Sequence, residues 1–183
     1  MNKKNNIRYQ NTEMIIENAF LKLLGLNNLS HITVREICAN VDINRSTFYA
    51  HYQDIYDLLN KIEYRLSREL RESFNEDYYI NGETSIINYI KIFLTFASKN
   101  KVFYKNFVNS RESFPIKEGF DELLNKFAIP YYKNKGISSE EEIIYHFVFM
   151  QAGFTMVLKR WLNDNCKDPI DRIADIILSC IVI

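Results

Sequence analysis

Five side chains in one short run have the chemistry to read DNA. Arg45, Ser46, Thr47, Tyr49 and His51 fall within TVREICANVDINRSTFYAHY, residues 33–52, on a helical pattern where a buried helix would carry aliphatics. An arginine can set two parallel N–H donors against guanine O6 and N7. Ser, Thr and the neighbouring Ala50 are small enough to approach a groove floor or touch a thymine methyl. Tyr and His can hold phosphates and fix register without reading sequence. Arg35, beside the same run, has the reach for a base or a phosphate. Three of them also have a plainer reading: Tyr49 as a core aromatic, His51 as a capping or surface residue, Arg35 as the partner of an acid on the preceding helix.

The elements that must position these residues are legible around them. Thr33 with Glu36 three residues on is a capping box, which satisfies two orphan N–H groups reciprocally and opens a helix. Val34, Ile37, Cys38 and Val41 give that helix one apolar face. Asp42 stands at the turn, where a left-handed backbone is tolerable for Asp. Asn44 caps a further helix whose Phe48 and Tyr52 face inward, with Ile43 as a staple. Two short helices about a tight turn make a helix-turn-helix. Ahead of it, residues 12–24 form a helix with Ile15, Ala19, Phe20, Leu23 and Leu24 on its stripe. Behind it, residues 54–74 form a long one through Ile55, Leu59, Ile62, Leu66, Leu70 and Phe74.

With its capping Thr, its turn and the string Thr47-Phe48-Tyr49-Ala50-His51-Tyr52, the segment resembles the N-terminal domain of the TetR family of bacterial transcriptional regulators. The resemblance covers residues 15–59; the remainder is similar only in length and helical character. It implies a homodimer on a near-palindromic, double-stranded DNA operator. It also implies a C-terminal domain that holds a small-molecule effector and dimerises through its last two long helices. By position, Thr33 would bond a phosphate and Arg35 a base or phosphate. Arg45 and Ser46 would touch base edges, Thr47 and His51 phosphates, and Tyr49 a phosphate and a thymine methyl. Two departures stand out. Asp42 replaces the usual turn Gly. Ile55, flanked by Asp54 and Asp57, replaces a phosphate-binding Lys early in the fourth helix. The expected result is a weaker phosphate grip there, supplied in part by the helix N-terminus and by Lys3, Lys4 and Arg8.

The remaining chain also reads as helices: 84–99, 101–109, a segment from Pro115 toward Lys133 that Pro130 kinks or ends, 140–163 and 169–180. Its many aromatics suggest an effector cavity, with Phe93, Phe96, Phe107, Phe127, Tyr145 and Phe149 as candidates, although aromatics at helical spacing are also ordinary core. Phe147, Met150, Phe154, Val157 and Trp161 on one long helix, with Ile173 and Ile177 on the last, are the candidate dimer interface. Gly153 would allow close approach.

Composition sets the outer limits. The 183 residues carry equal numbers of cationic and anionic side chains, 23 each, so coating of nucleic acid along the whole chain is unsupported. The first 53 residues lean basic, with Lys3, Lys4, Arg8, Lys22, Arg35 and Arg45 against Glu13, Glu17, Glu36 and Asp42. Five Gly and three Pro fit helices with short connections. The three Cys and three His show no ligand spacing, so no metal and no cofactor is expected. No nucleophile motif, phosphate loop or dinucleotide fingerprint points to an enzyme. No signal peptide or membrane span is visible, and a cytoplasmic protein follows. The expectation is thus all-α, about nine helices: a three-helix DNA-binding domain at 1–53 and a helical regulatory and dimerisation domain at 54–183. Repression is the expected sign. The alternative is a co-regulator of the same fold that works through a protein partner.

Overall fold

The computed structural model describes residues 7–74, 86–110 and 124–181, and every regular element among them is helical. Among the described residues there are nine α-helices: α1 Ile7–Leu24, α2 Val34–Asn40, α3 Arg45–His51, α4 Ile55–Ser73, α5 Ile86–Lys99, α6 Lys101–Ser110, α7 Ile129–Asn134, α8 Glu140–Asn163 and α9 Ile170–Ile181. The expectations for Lys3, Lys4, Thr84 and Pro115 lie outside the described residues.

The described chain divides into two compact units, one of residues 7–74 with 100–106 and one of residues 86–99 with 107–110 and 124–181. In the first, α1 contributes Ile16, Ala19, Phe20 and Leu24 to the core, α2 Ile37 and Cys38, α3 Phe48, and α4 Leu58, Ile62 and Leu66. Phe103 and Tyr104 of α6 are buried in the same unit. Two stripes differ from expectation by one residue. Ile15 is exposed and Ile16 buried, and Leu58 is buried where Leu59 is only half-buried. An apolar stripe spans more than 100° of a helix, so adjacent apolar residues compete for its centre and the neighbouring helices choose between them.

The turn of the helix-turn-helix is a Schellman closure. Asp42 adopts φ 51°, and the Ile43 N–H donates to the Cys38 carbonyl at 3.1 Å. Asp thus fills the left-handed position that Gly takes most easily. In the second unit, Leu124, Ala128, Tyr132, Ile143 and Phe147 form one core cluster. α9 packs on α5 and α8. Pro130 stands in the first turn of α7, behind a π-helical turn at Leu124–Ala128; the segment expected from Pro115 lies outside the described residues.

Candidate nucleic-acid interface

α3 is short, and its two sides are chemically distinct. Phe48 and Tyr52 are buried, while Arg45, Ser46, Tyr49 and Ala50 are exposed and Thr47 is half-buried. Tyr49 meets Phe48 edge-on, ring centroids 5.6 Å apart, which fixes its ring while leaving its outer part in solvent. Arg45 projects its charge over the corner between α2 and α3. There burial pushes the Cys38 thiol up, against the opposing pull of the guanidinium. Arg35 is exposed on α2. Arg35, Arg45, Ser46 and Tyr49 are thus all exposed on the two helices of the helix-turn-helix.

Two of the expected phosphate contacts sit differently. The His51 side chain is 5% exposed. Its ring stacks on Tyr9 of α1 at 3.8 Å between centroids. Its Nδ1 is 3.7 Å from a Glu13 carboxylate oxygen and makes no hydrogen bond among the described residues. His51 therefore joins α3 to α1 and does not present itself to a phosphate. Its neighbour Ala50 is exposed instead, because an α-helix places successive residues about 100° apart. Thr33 is exposed, but its hydroxyl is engaged. It donates to Glu36 Oε2 at 2.8 Å and accepts from the Glu36 N–H at 3.3 Å. The Thr33 N–H donates to the same carboxylate at 2.9 Å, which completes the capping box. A phosphate contact from Thr33 must compete with that carboxylate.

The N-terminus of α4 was expected to help hold phosphate; it is occupied by its own acids. Asp54 accepts from the Asp57 N–H at 2.8 Å, and Asp57 accepts from the Gln53 N–H at 2.9 Å. Two carboxylates therefore stand where an anion would have to come.

Several residues that spacing did not single out tie α3 and α4 to their neighbours. Arg65 of α4 bonds Glu17 of α1 at 2.8 Å and Glu69 at 2.8 Å. The Tyr52 hydroxyl donates to Glu17 at 3.5 Å; burial first, then Glu17 and Glu13, push that phenol well above its ordinary range. Lys61 donates to the His51 carbonyl at 2.8 Å. The i,i+4 pairs Asp57–Lys61 and Arg65–Glu69 were visible as spacing on one helix. Pairings between α1 and α4, 48 residues apart in the case of Glu17 and Arg65, leave no local pattern.

In the second unit the candidates divide by face. Phe147, Trp161, Ile173 and Ile177, expected at a dimer interface, are buried within the single chain; Met150, Phe154 and Val157 are half-buried. Tyr145 and Phe149, expected in a cavity, are 70% and 79% exposed. Ile144, Val148 and Met156 are exposed on α8 with them, and Ile176 on α9. The stripe richest in large side chains went to the chain's own core, and a second apolar face was left outside. Phe93 meets Phe154 edge-on at 5.2 Å, and Phe96 and Phe107 are half-buried. The Phe127 side chain lies outside the described residues. One turn before Phe154, the Gln151 Oε1 is buried without a hydrogen-bond partner among the described residues.

A family model described as a transcriptional regulator C-terminal region of the TetR type (TetR_C_8) matches residues 84–182, more than half of the chain. The chain belongs to the TetR family. The HTH-type dhaKLM operon transcriptional activator DhaS of Lactococcus lactis subsp. lactis (strain IL1403) is 32% identical over 94 residues. That match covers 51% of this chain and 47% of the relative, so the chain spans about half the length of the curated relative it matches. Three solved structures share the fold. The dihydroxyacetone kinase operon activator DhaS has a TM-score of 0.56 and 20% identity, covering 93% of both chains. The fatty acid degradation regulator FadR from Bacillus halodurans has 0.67 and 12%, covering 93% of this chain and 94% of that one. A TetR transcriptional regulator from Streptococcus agalactiae 2603V has 0.64 and 22%, covering 94% of each. Among the described residues no helix is long and apolar enough to cross a membrane.

Proposed function

We propose that this TetR-family chain is a homodimer that reads a near-palindromic operator with α3 in the major groove, under control of a small effector held by its C-terminal part. The functional division is drawn at residues 1–53 and 54–183, although α4 packs with the first unit. The observation that carries the reading is the exposed polar face of α3, with Arg45 and Ser46 at its start and Tyr49 one turn on, over a core of Phe48 and Tyr52. Arg45 and Ser46 meet base edges; Arg35, Thr33, Thr47 and Tyr49 meet the backbone. Two such helices must sit in successive major grooves about 34 Å apart. An effector that tilts α4 changes that spacing, and simultaneous fit is lost. A protein of this kind acts in the bacterial cytoplasm, where its DNA is.

The second copy docks on the outer face of α8, through Tyr145, Val148, Phe149 and Met156, with Ile176 of α9. Contiguous exposed apolar side chains at positions i, i+3, i+4 and i+11 of one helix are more than a monomer ordinarily leaves in water. Effector contact is assigned to Phe93, Phe96, Phe107 and Phe154, with Gln151 as the polar group that fixes orientation.

Gel-shift titration against DNA upstream of the protein's own gene, at two salt concentrations with unrelated competitor, tests the reading. The wild type shifts one fragment despite competitor, more weakly at high salt. Arg45→Ala loses that shift and keeps its oligomeric state; an unchanged affinity would remove Arg45 from the reading surface. A second reading concerns the sign of regulation. The curated relative is a transcriptional activator, which favours activation over repression here and keeps a protein-partnered co-regulator in view. A promoter–reporter fusion with and without the gene decides: reporter output that falls on deletion means activation.

A further inference from the structure

We infer that Asp57 and Lys61 of α4 are positioning residues that staple the recognition helix to α4, so that α3 turns with α4 as one lever. The inference rests on the DNA-reading role proposed for α3.

α3 has seven residues, two turns, and a helix that short does not hold itself in water. Its last carbonyls have no partners within the helix, so something must satisfy them. The Lys61 ammonium donates to the His51 carbonyl at 2.8 Å. It also lies 3.2 Å from the Asp57 carboxylate and 4.9 Å from the centroid of the Tyr52 ring. A cation suits this place, because the dipole of α3 ends there in partial negative charge. Asp57, one turn earlier on α4, accepts the Gln53 N–H at 2.9 Å. The last carbonyl of α3 and the first N–H beyond its cap therefore both end on side chains of α4. Burial works to raise the Asp57 carboxyl, but the Gln53 N–H and Lys61 outweigh it and hold the group below the usual range, so the acceptor stays ionised. From the α1 side the backbone of α3 has a longer bond, Tyr9 hydroxyl to Ala50 carbonyl at 3.5 Å. The firmer grip on the end of the recognition helix comes from α4.

A plainer reading treats the two charges separately: Asp57 as a carboxylate that repels phosphate, Lys61 as a cation that attracts it. The readings differ in sign. Under repulsion alone, Asp57→Ala tightens every DNA equally. Under the staple, it tightens unrelated DNA and weakens the operator. Under simple attraction, Lys61→Met weakens all sequences alike and makes the salt slope shallower by about one unit. Under the staple, it weakens the operator most and leaves the slope as it was.

The test uses the full chain as Asp57→Ala, Lys61→Met and Lys61→Arg. Amide hydrogen exchange is read at residues 48–53, with α8 as internal control, and competition binding is read on the operator fragment. Exchange at residues 48–53 should rise about tenfold in the first two variants, the loss expected for one charge-assisted bond, while α8 is unchanged. Operator selectivity should fall by about the same factor, and Lys61→Arg should restore both. Wild-type exchange at residues 48–53 in both variants overturns the staple. So does a uniform change of affinity across all sequences. Should the wild type fail to distinguish any DNA, the proposed function falls, and the exchange data still decide whether the two helices are stapled.

Discussion

Thr33 is held by folding first, and the phosphate contact proposed for it must share the same hydroxyl. Its hydroxyl and its N–H both end on the Glu36 carboxylate, and these two bonds, the hydroxyl first, hold that carboxyl below its ordinary value despite slight desolvation. A depressed carboxyl contributes stability that is fully present above the ordinary glutamate range and is lost as pH falls through the depressed value. Thr33→Ala should cost about 1 kcal/mol in urea denaturation at neutral pH, as N-cap losses do. The gap between variant and wild type should narrow under acid. A gap that stays constant down to low pH would separate the cap from the carboxylate. Capping was legible because Thr and Glu three apart is a local rule. The burial of His51 was not, because it depends on Tyr9 and Glu13, far away in sequence.

At the scale of elements, the sequence marked where helices start and stop better than it marked which way they face. α8 runs Glu140–Asn163, opened by Ser139 accepting from the Glu142 N–H with three acids in its first turn. Its orientation needed the neighbours. With apolar residues on more than one side, the periodicity allowed either face to be core, and α8 buried Ile143, Phe147, Thr155, Leu158, Trp161 and Leu162. Gln151 falls at the edge of that choice, with a buried oxygen that finds no donor among the described residues. Burying an amide oxygen without a bond is unfavourable. Gln151→Leu should therefore raise stability toward urea by about 1 kcal/mol and abolish the response to the effector. A marked loss of stability would mean that the oxygen already has a partner.

At the scale of the molecule, the two apolar faces of α8 predict opposite phenotypes. Phe147 is buried within the chain, so Phe147→Ala should destabilise the fold by about 3–5 kcal/mol. Phe149 is exposed, so Phe149→Asp should leave helix content intact and yield monomers in sedimentation. Its operator affinity should fall with it, because two half-sites are then no longer bound together. A Phe149→Asp protein that remains dimeric would place the interface elsewhere. The stapled α3–α4 lever belongs to the same argument, since regulation by spacing needs each reading helix to move as a rigid part.

The sequence by itself determined the all-helical class and the helix-turn-helix with its cap and left-handed Asp42, and it marked residues 45–49 as the polar run proposed to read DNA. All of these rest on interactions within about five residues, where spacing alone fixes geometry. Only the tertiary structure decided that His51 turns inward, that Phe147 and Trp161 belong to the chain's own core, and that the first turn of α4 keeps its carboxylates for itself and for α3. Those outcomes depend on which distant surface reaches a side chain first, and no local period encodes that.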